Sequence, residues 1–202
     1  MLDALEPPWP DVFSLMWDAY VARTIPVGAV VVDPSGAIVA RGRNRIFDEA
    51  GQGQLGRSYL AHAEINALLG IPPAPSGTPL TLYSALEPCH LCLSAAYSTR
   101  MAAVRYAAAD AYGGAVGKLL PSRDHEMHPV EISGPLPGVA GLLPELLHVA
   151  HMLWRVPKGN VVTLYRSTRP RLVEAARHLP PPDSGATLAD AYTALAVSSG
   201  GL

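Results

Sequence analysis

Cysteine is almost absent from this sequence: there are two in 202 residues, at positions 89 and 92. Any sulfur chemistry is therefore confined to one place, as a redox C-x-x-C pair or as half of a metal site. Charge is sparse as well. Charged residues make up 16% of the chain and the formal net charge is −2, which offers no global attraction to phosphates or anionic lipid and disfavours a large nucleic-acid footprint. No apolar run reaches the roughly 18 residues of a membrane-spanning helix. The start, Met1-Leu2-Asp3-Ala4-Leu5-Glu6-Pro7-Pro8, lacks the basic stretch and apolar core of a secretory signal. The expectation is a cytoplasmic chain with no membrane partner.

What is present reads as globular. Apolar residues account for 49% of a length that suits one well-buried domain with a small appendage. Periodicity predicts a helix over 10–23, with Val12, Leu15, Met16, Ala19 and Tyr20 on one stripe. Val27-Gly28-Ala29-Val30-Val31-Val32 predicts a strand buried on both faces, and Asp33-Pro34-Ser35-Gly36 the turn into a second strand over 37–43. Arg41, Arg43 and Arg45 would share one face of that strand, as a solvated face or a phosphate contact. Asn44 follows, and its amide suits either a turn or a base edge. Residues 46–59 lose periodicity, carry Gly51, Gly53 and Gly56, and form a candidate rim or lid.

Next come a helix over 61–69, a proline-rich linker over 70–79, a strand over 80–86, a helix over 89–100 and a strand over 101–108. A loop at 109–114, a short strand at 130–132 and an amphipathic helix over 141–155 complete the alternation, which implies a layered α/β fold. After Arg155 the pattern changes to an extended segment over 160–165 and short helices over 171–179 and 188–196. The expected organisation is a zinc-dependent domain over 1–155 and a C-terminal helical extension over 156–202, packed on that domain or on a partner subunit.

Two stretches carry the chemistry, His62-Ala63-Glu64 and Pro88-Cys89-His90-Leu91-Cys92. One imidazole and two thiols can hold a zinc ion and leave its fourth position open to water. Glu64 is then free to move protons to and from that water. The ordered pattern H-x-E…P-C-x-x-C is a signature of zinc-dependent base deaminases. His62 and Glu64 stand about 200° apart around a helix, so they converge only on a site at the helix start. Free backbone N–H groups also point there. A helix start likewise favours thiolate at Cys89 and Cys92, the form zinc requires. His148 and His151, spaced i, i+3, have no third ligand nearby in sequence. They default, like His90, His125, His128 and His178, to surface or core roles.

At these residues the sequence resembles the cytidine/deoxycytidylate deaminase superfamily, in the branch of tRNA adenosine deaminases and guanine or related nucleobase deaminases. The resemblance spans about residues 17–154. It includes Pro26-Val27-Gly28-Ala29-Val30-Val31-Val32, Gly42-Arg43-Asn44-Arg45, His62-Ala63-Glu64-Ile65-Asn66-Ala67 and Leu86-Glu87-Pro88-Cys89-His90-Leu91-Cys92. It continues through Ala109-Asp110-Ala111-Tyr112-Gly113-Gly114 and Val130-Glu131-Ile132. It implies a three-layer α/β/α cytidine-deaminase-like fold with a central mixed five-stranded sheet, and a homodimer or higher homo-oligomer. It implies one Zn2+ per chain on His62, Cys89 and Cys92, with Glu64 as proton shuttle. It also implies substrate contacts from Asn44 and Asp110, while the free backbone N–H groups expected at Ala63 and Cys89 suit charge that develops on a bound substrate. The 46–60 loop is longer than in tRNA deaminases, and the 155–202 tail has no counterpart in the resemblance.

The leading functional expectation is a hydrolytic deaminase of a free nucleobase, nucleoside or similar small amino-heterocycle, an amino-purine first. Adenosine editing in tRNA is the alternative, supported by Arg41, Arg43, Arg45 and Arg57. A catalytically silent zinc-stabilised binding module is a third reading, for which an intact Glu64 has no use.

Overall fold

The computed structural model describes residues 5–71, 77–120 and 122–198. Residues 72–76 of the expected linker and the first four residues of the start read for a signal lie outside that set.

The Val-rich segment forms β1 (Gly28–Val32), buried along its whole length. It pairs antiparallel with β2 (Ile38–Arg43) across a turn in which Asp33 Oδ1 accepts from the Ser35 and Ala37 N–H groups at 2.8 and 3.0 Å. The other side of β1 pairs antiparallel with β3 (Thr81–Leu86). Then β4 (Ala103–Ala108) and β5 (Glu131–Ser133) add in parallel, giving one mixed five-stranded sheet of order β2-β1-β3-β4-β5.

Two glycines set the layers. A Cβ on Gly28 would lie 2.3 Å from the Val12 carbonyl oxygen and 2.5 Å from the Met16 nitrogen, so α1 (Trp9–Val21) rests directly on β1. A Cβ on Gly42 would lie 2.3 Å from the Ala67 nitrogen and 2.4 Å from the Ala63 oxygen, so α2 (Ala63–Leu69) rests directly on β2. Gly42 pairs with Ala29, the neighbour of Gly28, and successive strand residues face opposite ways. Hence α1 and α2 cover opposite faces. The helix α3 (His90–Ser98) packs beside α2, and α5 (Gly138–Arg155) packs beside α1 and over β3 and β4. This is a three-layer α/β/α fold.

The motif helices begin two residues and one residue later than expected, at Ala63 and His90, so that a metal-type residue is the N-cap of each: His62 for α2 and Cys89 for α3. The helix α5 starts at Gly138, earlier than the expected residue 141, and contains Pro144. A one-turn helix, α4 (Arg123–Met127), has no counterpart in the sequence reading; Ser122 caps it by accepting from the His125 N–H at 3.3 Å.

One expectation fails. Residues 160–165, read as extended, belong to a helix, α6 (Asn160–Thr168). The run Val161-Val162-Thr163 favours strand locally, but Val161, Val162 and Tyr165 fall on one side of a helical turn and all three are buried. Burial of that face overrides the weak local preference. The helices α7 (Pro170–Arg177) and α8 (Leu188–Ser198) follow near their expected positions, and α6, α7 and α8 all pack against α5. Val161, Tyr165, Leu172 and Leu195 lie in the same apolar core as the sheet. No helix among the described residues is long and apolar enough to cross a membrane.

Candidate metal centre and active site

Strand direction gathers the site at one end of the sheet. β1 runs against β2 and β3, so its start lies beside the ends of β2, β3 and β4. Val27, Asn44, Glu87 and Asp110 emerge there, and helices α2 and α3 begin there.

His62 Nδ1 lies 3.4 Å from Cys92 Sγ and 3.7 Å from Cys89 Sγ, and the two sulfurs are 3.7 Å apart. Zinc bonded tetrahedrally to sulfur at about 2.3 Å and to nitrogen at about 2.0–2.1 Å needs ligand separations of about 3.5–3.8 Å. The triangle fits that ion. Among the described residues this is the group of His, Cys, Asp and Glu side chains placed to hold a metal. The electrostatics agree. Hydrogen bonding from Cys92 and then from His62 draws the Cys89 thiol down to about 4. The hydrogen bond to Cys89, burial and the neighbouring Glu64 carboxyl push Cys92 well above the usual thiol range. Two sulfurs and a carboxyl crowded beside a single imidazole call for a cation.

Glu64 stands in the first turn of α2, 4% exposed. Its Oε1 accepts from the Ser84 hydroxyl at 2.9 Å, and its Oε2 lies 3.3 Å from Cys92 Sγ. Burial raises its pKa, partly offset by the charge of His62. A carboxyl held above its usual range by burial is suited to exchange protons with a neighbouring group.

A cavity of 310 Å³ opens onto these groups. Asn44, His62, Glu64 and Cys89 line it with Ile25, Val27, Leu86, Glu87, Asp110, Tyr112, Gly113, His148, Met152 and Val161. The amide of Asn44 is oriented: its Oδ1 accepts from the Thr24 hydroxyl at 2.6 Å and from the Ile46 N–H at 3.1 Å. A backbone N–H can only donate, so Oδ1 is the oxygen and Nδ2 is the atom left for the cavity. Asp110 Oδ1 accepts from the N–H groups of Tyr112 and Gly113, both at 2.9 Å, and shapes the loop after β4. Ala63 has its side chain in the core and does not line the cavity. It opens α2, where a backbone N–H has no partner within the helix.

The expected rim at 46–60 contributes nothing to the cavity lining. It is organised by the arginines instead. Arg45 donates to Gln54 Oε1 at 2.9 Å, to the Glu49 carbonyl at 3.0 Å and to Asp48 at 3.3 Å, while Arg43 also pairs with Asp48. Asn66, fully buried, accepts from the Leu55 N–H at 2.8 Å and donates to the carbonyls of Arg43 and Leu55. Phe47, Arg57, Ser58 and Tyr59 face a broader outer cleft of 670 Å³ shared with Arg23, Trp154 and Arg155.

Several pocket residues carried no sequence signal. Thr24 and Ser84 act by holding Asn44 and Glu64. Glu87 accepts from the Asp110 N–H at 3.2 Å and the Val116 N–H at 3.0 Å, bracing the loop from the strand that leads to Cys89. His148 is 8% exposed with both ring nitrogens unpartnered among the described residues, and burial holds it below the usual imidazole range.

A mixed five-stranded sheet with helices on both faces, and a His-Cys-Cys triad beside a buried glutamate at the starts of two helices, define a zinc-binding deaminase-like fold. Residues 11–108 match the cytidine and deoxycytidylate deaminase zinc-binding region. Over that segment, just under half of its length, the chain carries the zinc-binding region of the cytidine and deoxycytidylate deaminases. It is 36% identical over 119 residues to the tRNA(Ile)-lysidine synthase of Deinococcus radiodurans, covering 57% of this chain and 19% of that protein. The tRNA-specific adenosine deaminase of Haemophilus influenzae is 33% identical over 124 residues, covering 60% of this chain and 65% of that one. The chain thus spans about a fifth of the length of the lysidine synthase and just under two thirds of the deaminase. The crystal structure of NE0047 in complex with 2,6-diaminopurine superposes with a TM-score of 0.56 at 22% identity, covering 76% of this chain and 84% of that one. That likeness speaks to the fold.

Proposed function

We propose that the chain is a zinc-dependent hydrolytic deaminase that converts the exocyclic amine of a nucleobase, nucleoside or related amino-heterocycle to a carbonyl, with release of ammonia. The placement of Glu64 carries this reading. It is a buried carboxyl at the cavity floor, beside a metal triad that is complete without it. In this reading His62, Cys89 and Cys92 hold one Zn2+, which when bound supplies a water with its pKa lowered to about 7. Glu64 takes one proton from that water and delivers it to the ring nitrogen as the water oxygen bonds to the amine-bearing carbon. It then takes the remaining proton from the added hydroxyl and gives it to the amine, which leaves as ammonia while the carbonyl forms. Burial suits it to hold the proton between the two transfers. Asn44 Nδ2 donates to a ring acceptor, the N–H groups of Ala63 and Cys89 face developing negative charge, and Asp110 borders the ring. The chemistry belongs to residues 1–155, and the 156–202 extension completes the cavity wall through Val161.

The cavity volume, at the small end of the range of about 300–1,000 Å³ for ligand sites, supports a small substrate, with amino-purines the first candidates. A second reading, adenosine editing in tRNA, draws on the names of the two tRNA-acting relatives. The arginines that suggested phosphate contacts count against it. Arg41 pairs with Asp11 at 3.0 Å, Arg57 with Glu49 at 2.6 Å, and Arg43 and Arg45 share Asp48.

An ammonia-release screen over bases, nucleosides, pterins, triazines and a tRNA, with Glu64→Ala as control, tests both readings. Turnover of small compounds that varies little with salt is expected. Activity confined to tRNA, falling steeply between about 50 and 200 mM salt, favours the second reading. Equal ammonia release by Glu64→Ala overturns the assignment of Glu64.

A further inference from the structure

Eight of the fourteen residues that line the cavity lie within residues 11–108, and six lie beyond them. The first group holds the metal triad's cavity-facing members, Glu64 and Asn44. The second completes the walls, and one of its members belongs to a helix that the sequence did not announce: Val161 of α6.

We propose that Val161 sets the size of substrate the cavity admits, and that through it the chain favours a free base over the corresponding nucleoside. The inference rests on the deaminase reading above.

The cavity of 310 Å³ stands at the small end of ligand sites and has to hold the ring, the attacking water and the metal, so room for a pentose beside the ring depends on where its walls stand. Among the lining residues from α5 and α6, Met152 has an unbranched side chain that can move aside. Val161 cannot. A valine in a helix has essentially one side-chain rotamer, so its two methyl groups form a stiff wall.

The helix that carries it is anchored as well. One turn beyond Val161, Tyr165 is fully buried, close enough to Glu145 and Asp110 for both to raise its pKa after burial itself. A further turn on, Arg169 pairs with Glu145, which is 3% exposed on α5. Retreat of Val161 from the cavity would have to drag Tyr165 out of the core and separate that ion pair. The wall is therefore fixed on the side of the cavity that Val161 lines.

The test uses full-length, zinc-loaded protein and three matched pairs: guanine and guanosine, adenine and adenosine, cytosine and cytidine. Ammonia release gives kcat/KM for each compound with the parent chain, Val161→Ala and Val161→Leu, and thermal melting confirms that both variants are folded. The parent should prefer the base of whichever pair it turns over. Val161→Ala should raise the nucleoside-to-base ratio of kcat/KM at least tenfold, and Val161→Leu should raise KM for the base, within the about 10–200-fold range of one methylene in an apolar pocket. A parent that prefers the nucleoside overturns the inference, as does a ratio that moves less than about twofold in a folded Val161→Ala protein. In either case the deaminase reading stands. No turnover of any compound by the zinc-loaded parent removes the deaminase reading itself, and this inference with it.

Discussion

The hydroxyl of Thr24 lies 2.6 Å from Asn44 Oδ1, and the pair is wholly buried beside the cavity. With the Ile46 N–H on the same oxygen, it turns the amide so that a donor faces the cavity. A base edge read by this residue must offer an acceptor.

Asn44→Asp exchanges that donor for an acceptor and places a second carboxylate near Glu64. In the proposed role kcat/KM falls at least about 100-fold, because a buried group is left unpaired against the substrate. Thr24→Val keeps the shape and the Ile46 bond, and should cost about tenfold, mainly in KM. Steady-state kinetics on the substrate found by the screen distinguishes the two. An unchanged KM in Thr24→Val would show that the hydroxyl does not position the amide.

Glu64→Gln should separate metal binding from turnover. Zinc content stays at one per chain, since the triad is intact, while kcat falls by about 100- to 10,000-fold. Cys92→Ser, by contrast, should lose the metal. Elemental analysis beside ammonia release reads both, and loss of zinc from Glu64→Gln would make that carboxylate a ligand.

The ion pair of Glu145 with Arg169 ties α5 to the start of α7. Burial already raises the Glu145 pKa despite the guanidinium. Arg169→Ala should destabilise the fold by about 1–3 kcal/mol at pH 7, the cost of leaving a buried polar group unpaired. Without the guanidinium the carboxyl more readily takes up a proton in the folded state than in the unfolded one, so the loss shrinks as pH falls toward 5. Denaturant melts at the two pH values check this, and an equal or larger loss at pH 5 contradicts it.

His151 gives an acid-sensitive term of the opposite kind. It is 1% exposed, stacked with Phe47 at 6.4 Å between ring centres, and burial with the charges of His148 and Arg155 holds its pKa at about 3. The unfolded chain binds this proton below about pH 6.5 and the folded chain does not, so stability falls as pH drops through that value. At pH 5 the effect is about 2 kcal/mol for this residue. His151→Leu should flatten the decline in Tm between pH 7 and 5, measured on zinc-loaded protein so that His62 does not titrate. A decline as steep as the parent's would refute it.

The motif half of the site was legible because its signals are local. Spacing placed His62 and Cys89 at helix starts, and the valine run of β1 and the turn at Asp33 placed the first strands. The α6 wall of the cavity and the loop at 46–60 were not legible, for two physical reasons. Val161 is strand-prone by itself and becomes helical only because Val162 and Tyr165 share its buried face. Arg45 has the charge of a phosphate ligand, and only the folded loop supplies Gln54, Glu49 and Asp48 to occupy it. His148 and His151 looked like surface or core residues. Both are buried, and one of them also borders the cavity.

The carboxylate of Glu87, two residues before Cys89, accepts from two backbone N–H groups of the loop at 110–116. The loop is thus braced from the strand end that leads to Cys89, and the Ala115 N–H donates to the Pro88 carbonyl at 3.0 Å in the same place. Pocket wall and thiol placement share one anchor.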